Sequence, residues 1–318
     1  MAKEVTPEQI AQIDEMVARA HTALDIIATY DQQRVDRLCQ AVAAAVCDMK
    51  VWAPICDEAV DETSLGDKVT KRNKRNKIKL ILRDCLRQPS VGIIEENPAK
   101  GLVKYAKPAG VIASLVPTTN PCLTPAGQIV YAIKARDVMI CSPHPRAKVV
   151  TIKYIDIIRA TLVREGAPAD IIQGIKDPSI NLTKVLMERC DLVIATGGRP
   201  MVKSAYSSGT PAYGSGAGNA TVIIDDTCNT PERQKEAAEN TRISKTSDFG
   251  SGCSCDGNLV IHESIYDDFV KALVAEGAYL ANEEEAEKLK KVMWDGNGAP
   301  SAEHRCHQPP ETGPCCWL

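Results

Sequence analysis

The chain has 318 residues, 44% hydrophobic and 25% charged, a composition that excludes a disordered or fibrous chain and leaves room for two domains. Thirty-eight Lys and Arg against 41 Asp and Glu leave a net charge of −3, which implies neither a nucleic-acid surface nor a funnel for acidic substrates. The longest apolar runs are strand-sized, and Met1-Ala-Lys-Glu lacks the basic-then-apolar pattern of a secretory signal. The expectation is a cytoplasmic protein with no membrane or nucleic-acid partner.

The N-terminal third reads as helix. Thr6-Pro-Glu-Gln offers a capping hydroxyl, a proline at the first helical position and Gln9 to close a capping box. Ile10, Ile13, Val17, His21 and Leu24 follow at helical spacing, with His21 expected as a satisfied core histidine. Asp31 caps a second helix whose apolar face carries Val35, Leu38, Val42 and Val46. The run from Lys68 to Lys79, seven Lys or Arg in twelve residues, has no aromatic interleaved and is read as a solvated helix face.

After Pro108 strands and helices alternate. Val111–Val116, Asp137–Cys141, Asp170–Ile175 and Leu192–Ala195 are strand runs, separated by helical stretches ending near Lys134, Glu165 and Arg189. This alternation predicts an α/β fold, a Rossmann-type parallel sheet with helices on both faces. Ligands of such sheets sit at the carboxyl ends of the strands, so the loops at 117–120, 142–146 and 196–198 are the ones to watch. The glycine-rich connection Gly209-Thr-Pro-Ala-Tyr-Gly-Ser-Gly-Ala-Gly-Asn219 leads to a further strand at Thr221–Asp225 and a helix from Pro231 to about Arg242. Its glycines mark close backbone approach, which suits a domain junction or a ligand wall equally.

Thirteen cysteines are present without a CxxC pair. Cys39, Cys47, Cys85, Cys141 and Cys190 lie in apolar periodic segments, where a free thiol behaves as a small core residue. Cys253 is different. It follows Gly250 and Gly252 in the polar loop Ser244-Lys-Thr-Ser-Asp-Phe-Gly-Ser-Gly-Cys-Ser-Cys255, before a strand at Asn258–His262. Exposed, polar-flanked thiols are the reactive ones, and Cys253 stands as either a nucleophile or an ordinary loop cysteine.

Taken in order, Pro117-Thr-Thr-Asn-Pro121, Ser142-Pro-His-Pro-Arg146, Ala195-Thr-Gly-Gly198 with Met201-Val-Lys203, Tyr206-Ser-Ser-Gly-Thr-Pro211 with Gly216-Ala-Gly-Asn219, and Ser244-Lys-Thr246 leading to Cys253 resemble the aldehyde dehydrogenase superfamily. Within it they most resemble the CoA-acylating branch, and Val103-Lys-Tyr-Ala-Lys-Pro108 with the Cys253–Ser254 pair resembles its sulfoacetaldehyde dehydrogenases. The resemblance implies NAD or NADP as cofactor, coenzyme A as co-substrate, a small aldehyde as substrate and a homo-oligomer for a full-length parent. It implies Cys253 as nucleophile and Asn120 as oxyanion donor. Pro117, Thr118, His144, Pro145, Gly197, Gly198, Gly216 and Gly218 become the cofactor-binding positions, and no metal is implied.

Acid-forming relatives carry a glutamate about three residues before the second glycine of the Gly216–Gly218 motif, as base for the deacylating water. Here Ser215 stands there, and no glutamate occurs from Ser204 to Thr230. Acylation of CoA is therefore expected over acid formation, with acetaldehyde- or propanal-oxidising enzymes as the nearest rivals. A non-catalytic nucleotide-binding remnant is the alternative from another class. Arg146 and Arg199 are sulfonate-binding candidates by charge alone.

The expected division is 1–213 for N-terminal helices and dinucleotide-binding domain, 214–294 for a partial catalytic domain, and 295–318 for an aberrant, disordered tail. That tail is read as out-of-frame translation of a truncated chain, which is expected to be poorly soluble or inactive. A metal site at His304, Cys306, His307, Cys315 and Cys316 is the rival reading of it.

Overall fold

The Thr6 hydroxyl accepts the Gln9 N–H at 3.3 Å and the Gln9 side chain accepts the Thr6 N–H at 3.1 Å, so helix α1 (Pro7–Ile27) begins where the capping box places it. Its buried stripe is Ile13, Met16, Ala20, Ala23 and Ile27. This rotates the core face away from His21, which is exposed rather than a core histidine. Helix α2 (Gln32–Cys47), capped by Asp31, buries Val35, Leu38, Val42 and Val46 as expected. Helices α3 (Met49–Thr63), α4 (Lys68–Asn73) and α5 (Arg75–Leu86) complete the helical third.

The computed structural model describes residues 5–216 and 218–294, so the expected tail and its rival metal site lie outside the described residues. The chain divides into two units, Met1–Thr63 with Arg72–Ala217, and Ser64–Lys71 with Gly218–Leu318. Among the described residues no single helix is long and apolar enough to cross a membrane.

In the first unit an antiparallel hairpin of β1 (Gly92–Asn97) and β2 (Leu102–Ala106) precedes the main sheet. Both strands are exposed along nearly their whole length, so neither the alternation of a half-buried strand nor the apolar run of a buried one marks them in the sequence. The chain then runs through β3 (Val111–Val116), α6 (Leu123–Ala135), β4 (Val138–Pro143), α7 (Lys148–Arg164), β5 (Ile172–Gly174), α8 (Ile180–Arg189), β6 (Leu192–Thr196), α9 (Arg199–Tyr206) and β7 (Ala212–Ser215).

The five strands β3 to β7 form a parallel sheet in the order β5-β4-β3-β6-β7. Every residue of β3 and β4 is buried, which is why they read as unbroken apolar runs. The glycine-rich connection is itself part of the sheet, since β7 pairs with β6. A side chain at Gly214 would meet Val202 at 2.6 Å and the Tyr206 ring at 2.8 Å, so the close approach inferred there is that of helix α9.

The second unit contains β8 (Ala220–Ile224), α10 (Pro231–Thr246), β9 (Asp256–Ile261), α11 (Tyr266–Ala275) and α12 (Glu283–Met293). Strands β8 and β9 pair in parallel. One face is covered by α10 and α11 through a small core of Ile224, Ala238, Ile265, Phe269 and Leu273. On the other face the register partners Ile223 and Val260 are exposed. Helix α10 runs to Thr246, four residues beyond the expected end, so Ser244-Lys-Thr246 is helical and not loop.

At the amino edge of the main sheet, Asp137 is buried, and its carboxylate accepts the Gly110 N–H at 2.9 Å. Burial raises its pKa to about 6, against the lowering effect of its main-chain donors and Arg136. The folded chain then holds a proton that the unfolded chain has already lost, so this carboxyl contributes stability at pH 4 that disappears as pH rises to about 6. Asp137→Asn keeps the acceptor without the charge. The expected result is a variant stabilised relative to the wild type at pH 7 by about 2–3 kcal/mol more than at pH 4, read from urea midpoints at the two pH values. A difference independent of pH would show that Asp137 is ionised in the fold without penalty.

Candidate active site

The chain runs from β3 outward through β4 to β5 and then returns to the far side of β3 for β6 and β7. The topological switch therefore lies between β3 and β6, where their carboxyl ends open a crevice suited to a nucleotide. Pro117 and Thr118 follow β3 there, and Gly197 and Gly198 follow β6. Beside them, the His144 N–H donates to the Val116 carbonyl at 3.0 Å and extends the β3–β4 ladder to the loop that carries His144 and Pro145. The Gly197 N–H donates to the Ser215 carbonyl at 3.1 Å, which brings the Gly216 end of β7 to the same edge. The sheet thus gathers seven of the eight expected cofactor positions along its carboxyl edge.

Two details of that edge bear on chemistry. Gly198 caps α9 with no side-chain hydrogen bond, Pro200 carries no N–H, and the Met201 N–H is taken by the Gly198 carbonyl at 3.0 Å, so what the start of α9 offers an anion such as a pyrophosphate is the Arg199 N–H and the positive helix end. The ring nitrogen Nδ1 of His144 accepts the Arg146 N–H at 3.1 Å, which leaves the proton on Nε2. Partial burial, and then the Arg146 guanidinium, hold this histidine below its usual pKa, so at neutral pH it is an uncharged donor. Arg146 itself donates to the Thr63 carbonyl at 2.7 Å, while Arg199 is exposed at the start of α9.

Asn120 stands before α6, its main-chain carbonyl accepting the Thr124 N–H at 3.1 Å. Its side-chain oxygen accepts from Lys74 Nζ at 2.9 Å. An ammonium can only donate, so the atom facing it is the carbonyl oxygen and the amide nitrogen points the other way as a donor. Lys74 belongs to the basic run read as a solvated face, and that reading is wrong for more than half of it. Lys71 is buried, Arg72 pairs with Asp57, and Arg75 donates to the Cys47 carbonyl at 3.3 Å. Lys68, Lys77 and Lys79 are the exposed members. The signal that could have separated them is the spacing 71, 74, 78, 85, which carries the apolar stripe of Ile78 and Cys85 back onto two lysines.

In the second unit, Cys253 follows the tight segment Ser247–Gly250, in which Asp248 and Phe249 depart from helical dihedrals, and sits inside a turn closed by the Cys255 N–H on the Gly252 carbonyl at 3.1 Å. Cys253 is the one exposed cysteine among the ten in the described residues. Gly218 lies in the same unit, where a side chain would reach the Cys253 carbonyl at 3.9 Å. Among the described residues no group of three or more His, Cys, Asp or Glu side chains gathers as a metal site.

Residues 3–290 match the aldehyde dehydrogenase family. The chain is 41% identical over 284 residues to a sulfoacetaldehyde dehydrogenase of Acholeplasma sp., covering 88% of this chain and 57% of that protein. It is 39% identical over 287 residues to an acetylating succinate-semialdehyde dehydrogenase of Clostridium kluyveri, covering 89% of this chain and 61% of the relative. A crystal structure of an acetylating aldehyde dehydrogenase from Geobacillus thermoglucosidasius superposes with a TM-score of 0.86 at 30% identity, over 97% of this chain and 70% of that one. The chain therefore spans less than two thirds of the length of these two curated relatives.

Proposed function

The chain belongs to the aldehyde dehydrogenase family, in its CoA-acylating branch, and from that premise we propose that it oxidises a small aldehyde to the CoA thioester with NAD or NADP as hydride acceptor. The observation that carries the reading is Cys253, an exposed thiol on a tight turn in a chain whose other described cysteines are buried or half-buried. Its thiolate attacks the aldehyde carbonyl, forming a hemithioacetal, and the Asn120 amide N–H donates to the oxyanion. A bound nicotinamide dinucleotide supplies the hydride acceptor. The chain's own contribution to holding it is the start of α9 after Gly197 and Gly198 for the phosphates, with Pro117, Thr118, His144, Pro145 and Gly216 on the same edge of the sheet; Gly218 is kept as a cofactor position from the resemblance alone.

The thioester left on Cys253 is released by the CoA thiol in an exchange of one thioester for another. Water is a poor competitor because Ser215, at the carboxyl end of β7, stands where acid-forming relatives carry a base. The favoured aldehyde is sulfoacetaldehyde, supported by the similarity to the Acholeplasma enzyme and by the exposed cation Arg199. Acetaldehyde or propanal is the second reading, favoured by the likeness to the acetylating Geobacillus enzyme.

The test is a panel of sulfoacetaldehyde, acetaldehyde and propanal with NAD or NADP, with and without CoA, reading cofactor reduction and product mass. Acyl-CoA formed only when CoA is present is expected, with kcat/KM for the sulfonate at least about tenfold above the uncharged aldehydes. Equal rates for all three select the second substrate reading. Free acid released without CoA overturns acylation, and nucleotide binding without any turnover identifies a binding remnant.

A further inference from the structure

Asp248 lies five residues before Cys253 and has no exposed surface, and Lys71 beside it is almost as deeply buried. Both belong to the second unit, although 177 positions separate them in the chain. Lys71 Nζ is 3.3 Å from Asp248 Oδ2. The same carboxylate accepts the Asp67 N–H at 3.0 Å and the Ser251 hydroxyl at 2.6 Å, and the Asp248 N–H donates to the Thr70 hydroxyl at 2.7 Å. Gly66 packs so closely that a side chain there would lie 1.8 Å from Asp248 Oδ1, and its φ of +77° requires glycine independently.

The backbone that these contacts hold is unusual. Asp248, Phe249 and Gly250 are left-handed in succession, with φ of 54°, 49° and 69°. For Asp and Phe this conformation is intrinsically unfavourable, and two such residues in a row persist only where the surroundings over-determine them. The over-determination is the carboxylate of Asp248, tied to segment 64–71 on one side and to Ser251 on the other. The strained turn ends three residues before Cys253. A buried ion pair is a poor device for stability alone, because isolated burial of either partner is costly, and its best-attested use is to specify one arrangement.

We propose that Asp248, locked by Lys71 and the 64–71 segment, is the positioning residue that fixes the main chain around the Cys253 thiol, so that a segment from the helical third forms part of the nucleophile's support. This rests on the reading of Cys253 as the nucleophile. Asp248 touches no reacting atom. It acts through Ser251, and through the turn 248–250 that sets where the 252–255 turn presents the thiol.

The test is hydrogen exchange by mass spectrometry on the whole chain with Asp248→Asn, Lys71→Met, Ser251→Ala and the double variant Lys71→Met/Asp248→Asn. Asp248→Asn and Lys71→Met are each expected to speed exchange in residues 251–255 at least about tenfold while β8 and β9 stay within about twofold of wild type. Ser251→Ala strands no charge and the double variant leaves no buried charge unpaired, so these two decide the matter should a single charge variant fail to fold. Unchanged exchange in 251–255, or equal loss of protection in β8 and β9, overturns the proposal.

Acetyl-CoA supplies the second readout. The Cys253 sulfur forms a bond to the acetyl carbonyl as the bond from that carbonyl to the CoA sulfur breaks, and CoA leaves with the thiol proton. Peptide mass is expected to show Cys253 acetylated in the wild type and at least about tenfold more slowly in Asp248→Asn. Equal rates overturn positioning. An unmodified Cys253 in wild type, with exchange still coupled to Lys71, instead overturns the nucleophile reading on which the proposal rests.

Discussion

Replacing Cys253 by alanine is expected to lower kcat for CoA-dependent aldehyde oxidation by on the order of 10⁴-fold or more, with nucleotide affinity unchanged. The size follows from the role, because Cys253 is the one exposed thiol among the described residues. Burial pushes the Cys39, Cys141 and Cys190 thiols up to about 12, and raises those of Cys47, Cys85 and Cys228. At neutral pH these side chains stay protonated and serve as small apolar residues. The control is alkylation by iodoacetamide under native conditions, mapped by peptide mass. Cys253 is expected to be modified first, and the loss of activity should follow its modification alone. Residual CoA-dependent turnover within about tenfold of wild type in Cys253→Ala would remove the covalent mechanism altogether.

The same contrast between buried and exposed groups decides what could be read before the structure. Strands β3, β4 and β6 carry their burial in their composition, so the sheet and the loops at its carboxyl edge follow from short apolar runs bounded by Pro, Gly and Asp. Strand β7 is invisible by that measure. It is Ala-Tyr-Gly-Ser, and its glycine is dictated by the Val202 and Tyr206 side chains of α9 rather than by any strand preference. The β1–β2 hairpin is missed for the opposite reason, since it buries almost nothing and has no pattern to show.

The candidate site divides in the same way. Cys253 stands out by its polar, glycine-flanked loop, whereas Asn120 and the glycines are singled out only by the resemblance of their motifs to the family. Their supports are not legible, because Lys71 and Lys74 are identical in type to the solvated Lys77 and Lys79 beside them. Long-range partners, Asp248 for one and Asn120 for the other, set them apart. Charge on a helix says nothing of its destination until the partner is known.

Asn120→Ala is expected to cost about 10²–10³ in kcat with little change in KM, the signature of a donor whose hydrogen bond strengthens as negative charge develops on the substrate oxygen. The Lys74 contact makes a sharper prediction possible. Lys74 Nζ fixes which end of the amide faces outward, so Lys74→Met frees the amide to rotate and presents oxygen in place of N–H for part of the time. A loss of about tenfold in kcat is expected, again with KM nearly constant. With the Asn120 contact as the route by which Lys74 acts, the double variant Asn120→Ala/Lys74→Met is expected to be no slower than Asn120→Ala alone. Additive losses would mean that Lys74 acts on its own, as a cation near the substrate or as a structural tie of α5. Asn120→Asp separates these cases further. It keeps the shape and the bond to Lys74 but replaces the donor with a second acceptor, and should therefore be slower than Asn120→Ala. An aspartate variant faster than the alanine variant would show that the position supplies packing and not a hydrogen bond to the oxyanion.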